Sequence, residues 1–152
     1  MNDKRQEYID LRERFLEERN NYPIVFAFND DGLEEALKKL NATREEVCTL
    51  YGIGDVIRKV DVPKIREANK RQRDELLKKL MTDPKFAEEA FLCEMDNHEY
   101  CINMTGDIDV LQCFGIAYNK HDGACLDDLG LDGAYLRARR RHMDKAHKNG
   151  II

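Results

Sequence analysis

The chain has 152 residues, 42% of them hydrophobic and 36% charged, with a net charge of −5. That length and balance fit one soluble domain with its own core, argue against bulk affinity for nucleic acid, and include no apolar run near the roughly 20 residues of a membrane span. The absence of serine excludes a serine nucleophile, and five cysteines without paired spacing predict reduced thiols. The charged start MNDKRQEYID predicts no secretory leader, so the expected location is the cytoplasm.

Residues 3–20 alternate acids and bases around Tyr8, Leu11 and Phe15, a spacing that predicts an amphipathic helix within an N-terminal segment 1–22. Pro23 then opens YPIVFAF, a continuous apolar run expected to form a strand over 23–28 that is buried on both faces. Asn29-Asp30-Asp31 predicts the cap of a second helix, with Leu33, Leu37 and Leu40 as its stripe. Val47–Tyr51 and Val56–Val60 favour strand, and Gly52-Ile53-Gly54-Asp55 between them supplies a hairpin turn with two glycines at positive φ. Joined to 23–28, the hairpin predicts an antiparallel sheet of about three strands.

Asp61 and Pro63 start a long helix to about Met81, whose line Ile65, Asn69, Gln72, Leu76, Leu80 is polar in its middle. Asp83 and Pro84 are cap and first position of the next helix, expected over 83–101. Its AEEAFLCEM segment is apolar on most of its circumference, which predicts a central element packed on several sides. A short helix from Gly106 to Gly115, an irregular stretch 116–131 and a basic helix over 132–149 complete the chain. The expected fold class is α+β, mostly helical, in a single globular domain 1–152 with about five helices over the sheet.

Glu94, His98 and Cys101 fall at i, i+4, i+7, so a continuous helix would gather a carboxylate, an imidazole and a thiol on one face. Those donor types suit zinc, or a thiol-dependent enzyme, but the plainer reading of a capping His98 and an ion-paired Glu94 ranks first. The glycine turn lacks both G-x-G-x-x-G and G-K-[ST] and does not run into a helix, so a phosphate loop is rejected; Arg58 and Lys59 beside it remain anion candidates. A calcium loop over 128–139 fails because Arg139 stands where a bidentate glutamate is needed. Arg137, Arg139, Arg140 and Arg141 form the densest positive cluster and are the nucleic-acid candidates.

GIGDVIRK, a long charged helix and EAFLCEMDNHEY together resemble small proteins of clostridial-type bacteria, their phages and conjugative elements. The matching residues are Gly52, Gly54, Ile57, Arg58 and Lys59, then Ala90, Phe91, Glu94, Asn97, His98, Glu99 and Tyr100. The resemblance spans about residues 23–114 and departs at Asp55 and in the longer, more basic C-terminus. It implies no activity, but singles out Arg58 and Asn97–Tyr100 as ligand-binding candidates, with Arg58 expected to approach the end of helix 83–101. The expected function is a non-catalytic cytoplasmic binding or regulatory protein of mobile-element type, acting on another protein or an anionic ligand. The alternatives are a metal or thiol enzyme at Glu94, His98 and Cys101, and a nucleic-acid-associated regulator. No cofactor, no catalytic residue and no membrane partner is expected.

Overall fold

The computed structural model describes residues 3–152. In chain order the elements are α1 (Asp3–Asn20), β1 (Ile24–Phe26), α2 (Asp30–Leu40), β2 (Val47–Cys48), β3 (Asp55–Arg58), α3 (Val62–Thr82), α4 (Pro84–Asn97), α5 (Gly106–Gln112) and α6 (Asp132–Lys148). The fold is α+β and mostly helical, with a small three-stranded antiparallel sheet. It divides into two compact units, Met1–Arg12 with Arg73–Ile152, and Glu13–Gln72.

Within Glu13–Gln72 the sheet order is β1-β3-β2, with Val25 opposite Val56 and Cys48 opposite Ile57. Alternation along β3 sends Val56 and Ile57 to opposite faces. Val56 joins Ala36 and Leu40 of α2, with Val25, Ala27, Leu33 and Val47 packed around them. The expected doubly buried strand is β3, whose Ile57 is fully enclosed, and not 23–28. β1 lies at the sheet edge with only three residues, and Phe26 is 52% and Phe28 83% exposed. An apolar run reads the same at an edge as at a centre, because pairing order is decided by distant residues.

The polar break in α3 has a structural cause. Asn69 donates to the Tyr51 hydroxyl at 2.9 Å, and buried Gln72 donates to the Phe15 carbonyl and the Glu18 carboxylate. Side-chain amides at these positions tie α3 to α1 and to the β2–β3 loop.

That loop is built around one carboxylate. Asp55 is buried and accepts from the Thr49 hydroxyl at 2.7 Å and from the N–H groups of Leu50, Tyr51 and Ile53. Burial would raise its pKa, but the donations from Tyr51, Thr49, Leu50 and Ile53 outweigh it and hold the carboxyl well below the usual range. Gly52 and Gly54 sit at φ 71° and 89°, where a side chain would be strained. A Cβ on Gly54 would also stand 2.9 Å from the Ala27 carbonyl oxygen.

In the other unit α4 is the core element, as its composition predicts. Phe86, Ala87, Ala90, Phe91 and Met95 are fully enclosed. Phe91 makes edge-to-face contacts with Phe114 at 4.9 Å and Tyr135 at 5.2 Å, and Tyr8 joins through Phe86 and Phe114. Asp83 caps the helix by accepting from the Phe86 N–H at 3.1 Å.

The helix ends at Asn97, four residues short of the expected 101. Glu99 takes φ 50°, the Tyr100 N–H reaches the Met95 carbonyl at 3.0 Å, and the Glu99 N–H reaches Asp96. This is a Schellman ending with glutamate at the left-handed position that glycine usually holds. Residues 116–131 are irregular, and α6 carries Ala134, Tyr135, Ala138, His142 and Ala146 on its buried side.

Candidate functional site

The early end of α4 rearranges the expected Glu94, His98, Cys101 set. Glu94 and His98 remain one turn apart, with Oε2 and Nε2 separated by 3.5 Å. Cys101 lies beyond the helix, where its backbone N–H donates to Nε2 of His142 at 3.2 Å. The thiol beside His98 is that of Cys113, delivered by the end of α5 with Sγ 3.3 Å from the same Nε2. Glu94, His98 and Cys113 therefore converge with all three donor atoms within 4.8 Å of one another.

Each member is held by a neighbour. Tyr8 donates its phenol to Oε1 of Glu94 at 2.8 Å, leaving Oε2 directed to His98. Arg12 donates to the Cys113 carbonyl at 3.2 Å, and Asn103 to the His98 carbonyl at 3.3 Å. Burial, reinforced by the Glu94 carboxylate, pushes the Cys113 thiol up to about 12. A thiol in that environment is protonated at neutral pH, the opposite of an activated nucleophile. Glu94 and Cys113 both face His98 Nε2, so Glu94 does not stand behind the ring as an orienting third member of a triad.

A second network, unseen in the sequence, centres on buried His142. Its Nε2 accepts from Cys101, so its Nδ1 carries the proton and donates to Asp96 at 2.8 Å. Arg5 donates to the other Asp96 oxygen at 2.9 Å. Burial opposes ionisation of Asp96, but His142 and Arg5 outweigh it and lower its pKa. These bonds fasten α1, α4 and α6 together.

The structure places the other candidates as follows. Tyr100 donates to Asp107 at 2.7 Å and receives Arg139, and Tyr135 donates to the same Asp107 oxygen. Asn97 lies against the Cys93 sulfur, and Glu99 forms the left-handed cap. Arg58 pairs with Asp61, three residues on, at 2.9 Å; Lys59 opens a short 3-10 turn. Arg58 and Lys59 belong to Glu13–Gln72, and Glu94 and Asn97–Tyr100 to the other unit. On α6, Arg137 and Arg141 pair with Glu88, and Arg141 also with Glu89, while Arg140 is exposed. The glycine turn offers no cradle to an outside anion through Leu50, Tyr51 or Ile53, because Asp55 takes those N–H groups.

Glu13–Gln72 also carries an apolar groove of ≈ 330 Å³, floored by Leu16, Tyr22, Ile24, Phe26, Tyr51 and Ile53. Leu16 and Phe26 are each 52% exposed and Ile53 63%. Arg19 lies on its rim, and Lys64 stands over the Tyr22 ring at 5.7 Å.

Among the described residues no helix is long and apolar enough to cross a membrane. No curated protein and no solved structure matches the chain. Residues 7–124 match DUF7659, a family of unknown function, and the chain belongs to that family.

Proposed function

We propose that this chain is a non-catalytic binding protein whose groove takes an extended, acidic and apolar segment of a partner protein. The observation that carries the reading is three large, exposed apolar side chains, Leu16, Phe26 and Ile53, bounding one concavity. Contiguous exposed apolar surface of this kind marks interaction sites rather than ordinary surface. Ile24 and Phe26 belong to β1, an edge strand, so a segment laid in the groove can add to the sheet through its backbone. Arg19 and Lys64 favour acidic residues in that segment.

The other readings have less support. The Cys113 environment holds its thiol protonated, against a thiol enzyme. Arg137 and Arg141 are ion-paired with Glu88 and Glu89, which lowers the free positive charge on α6. The resemblance to proteins of clostridial-type bacteria, phages and conjugative elements supports a partner among cytoplasmic proteins of a host or mobile element.

Selection of random peptides displayed on phage against the full chain tests the proposal. Enriched peptides should alternate apolar residues with Asp or Glu, and should lose binding at least tenfold to Phe26→Asp and Ile53→Asp. Arg19→Glu should weaken them further. Absence of enrichment, or equal binding to the variants, overturns the proposal. A dimer in sedimentation that Phe26→Asp dissolves would assign the groove to a second copy and overturn it as well.

A further inference from the structure

We propose that Glu94, His98 and Cys113 form a site for one zinc-class divalent cation, with water as the fourth ligand. Zinc takes carboxylate, imidazole and thiolate together, at bonds of about 2.0–2.3 Å, and tetrahedral angles then separate neighbouring donors by roughly 3.3–3.6 Å. The observed separations are 3.5 Å between Glu94 and His98 and 3.3 Å between His98 and Cys113. Two of the three donor separations therefore already match a bound cation, and the third, between Glu94 and Cys113, lies within 4.8 Å.

The surroundings are those of a supported site. Tyr8 fixes the carboxylate by its distal oxygen, while Arg12 and Asn103 fix the backbone carbonyls of Cys113 and His98. Such outer contacts hold ligands in place and raise metal affinity. Glu94 is buried, whereas the His98 side chain is 36% exposed, so solvent reaches one side of the cluster and supplies the fourth position. On binding, a metal–sulfur bond forms and the Cys113 thiol proton passes to solvent. Thiolate and carboxylate then cancel the double charge of the cation, which limits the cost of placing it in a half-buried setting.

This site belongs to the unit that does not contain the groove, and the proposal does not depend on the groove. The test uses the full chain, stripped with chelator and titrated with Co2+. One equivalent should bind, with a thiolate-to-cobalt charge-transfer band and tetrahedral visible bands that Zn2+ displaces. Cys113→Ser should lose the charge-transfer band, Cys101→Ser should keep it, and His98→Ala should weaken Zn2+ binding by more than about tenfold. Phe26→Asp should leave the spectrum unchanged, so failure here and failure of the groove are separable. In the unsubstituted chain, Zn2+ should protect Cys113 and not Cys48 from alkylation, as read by peptide mass; this holds even if a variant does not fold. Lack of stoichiometric binding, a charge-transfer band surviving in Cys113→Ser, or equal alkylation of Cys113 with and without Zn2+ overturns the proposal.

Discussion

Tyr8 of α1 donates its phenol proton to Oε1 of Glu94 on α4 at 2.8 Å, and both side chains are buried. Burial pushes the phenol pKa up, so Tyr8 stays a donor throughout the accessible pH range. Tyr8→Phe keeps the ring against Phe86 and Phe114 and removes only the bond to a charged acceptor. The expected loss is about 1.5–3 kcal/mol in urea melts. A loss under about 0.5 kcal/mol would mean that the bond is replaced by water.

Asp55→Asn removes the charge that four donors converge on and turns an amide N–H2 toward backbone N–H groups. At neutral pH the expected cost is about 3 kcal/mol. The sign with pH follows from the lowered pKa of Asp55. Its contribution is complete above the unfolded carboxyl value of about 3.9 and is lost as pH falls through the lower folded value. Wild type and variant should thus differ by a constant amount above about pH 5 and converge in melts run at successively lower pH. A difference that grows on acidification would refute this account.

Phe91 is fully enclosed between Phe114 and Tyr135. Phe91→Ala should cost about 3–5 kcal/mol through transfer and cavity terms. Denaturant melts read the loss directly, and a value below about 1 kcal/mol would remove α4 from the centre of its unit.

Glu99 occupies the left-handed region at φ 50°. Glu99→Gly relieves the strain on Cβ, of about 1–2 kcal/mol, and gives part of it back through added freedom in the unfolded chain. The expected net result is a gain of about 0.5–1 kcal/mol and a raised melting temperature. Glu99→Ala, which keeps a Cβ, should bring no such gain.

Three of the four α6 arginines already have partners on Glu88, Glu89 or Tyr100. Filter retention of DNA or RNA by the full chain at low salt should therefore be weak and unchanged in Arg139→Ala/Arg140→Ala/Arg141→Ala. Tight retention that falls steeply with salt and is lost in the triple variant would restore the nucleic-acid reading.

The elements were legible where local chemistry decides them. Asn29 and Asp83 cap the helices they announce, and Gly52 and Gly54 take the positive φ that their turn requires. The central place of α4 followed from apolar residues all around its circumference. Two things were not legible. No glycine marks the end of α4, since Glu99 accepts the left-handed post, so the helical spacing carried on to Cys101. Cys113 reaches His98 across fifteen residues by way of α5, and nothing in short-range spacing reports such a meeting. The edge position of β1 was hidden for the same reason, because it depends on which strand β3 pairs with on each side.

The Thr49–Asp55 loop also bears on the order in which the chain folds. Its bonds join residues two to six positions apart, so little chain entropy is lost in closing it. Such a loop can close within about microseconds, which fixes the register of β2 against β3 before β1 arrives from far along the chain. Mutations in the loop should then slow refolding, with φ-values near 1, while mutations in β1 should chiefly speed unfolding. The carboxylate that closes the turn to outside anions would thereby act as the starting point of the sheet.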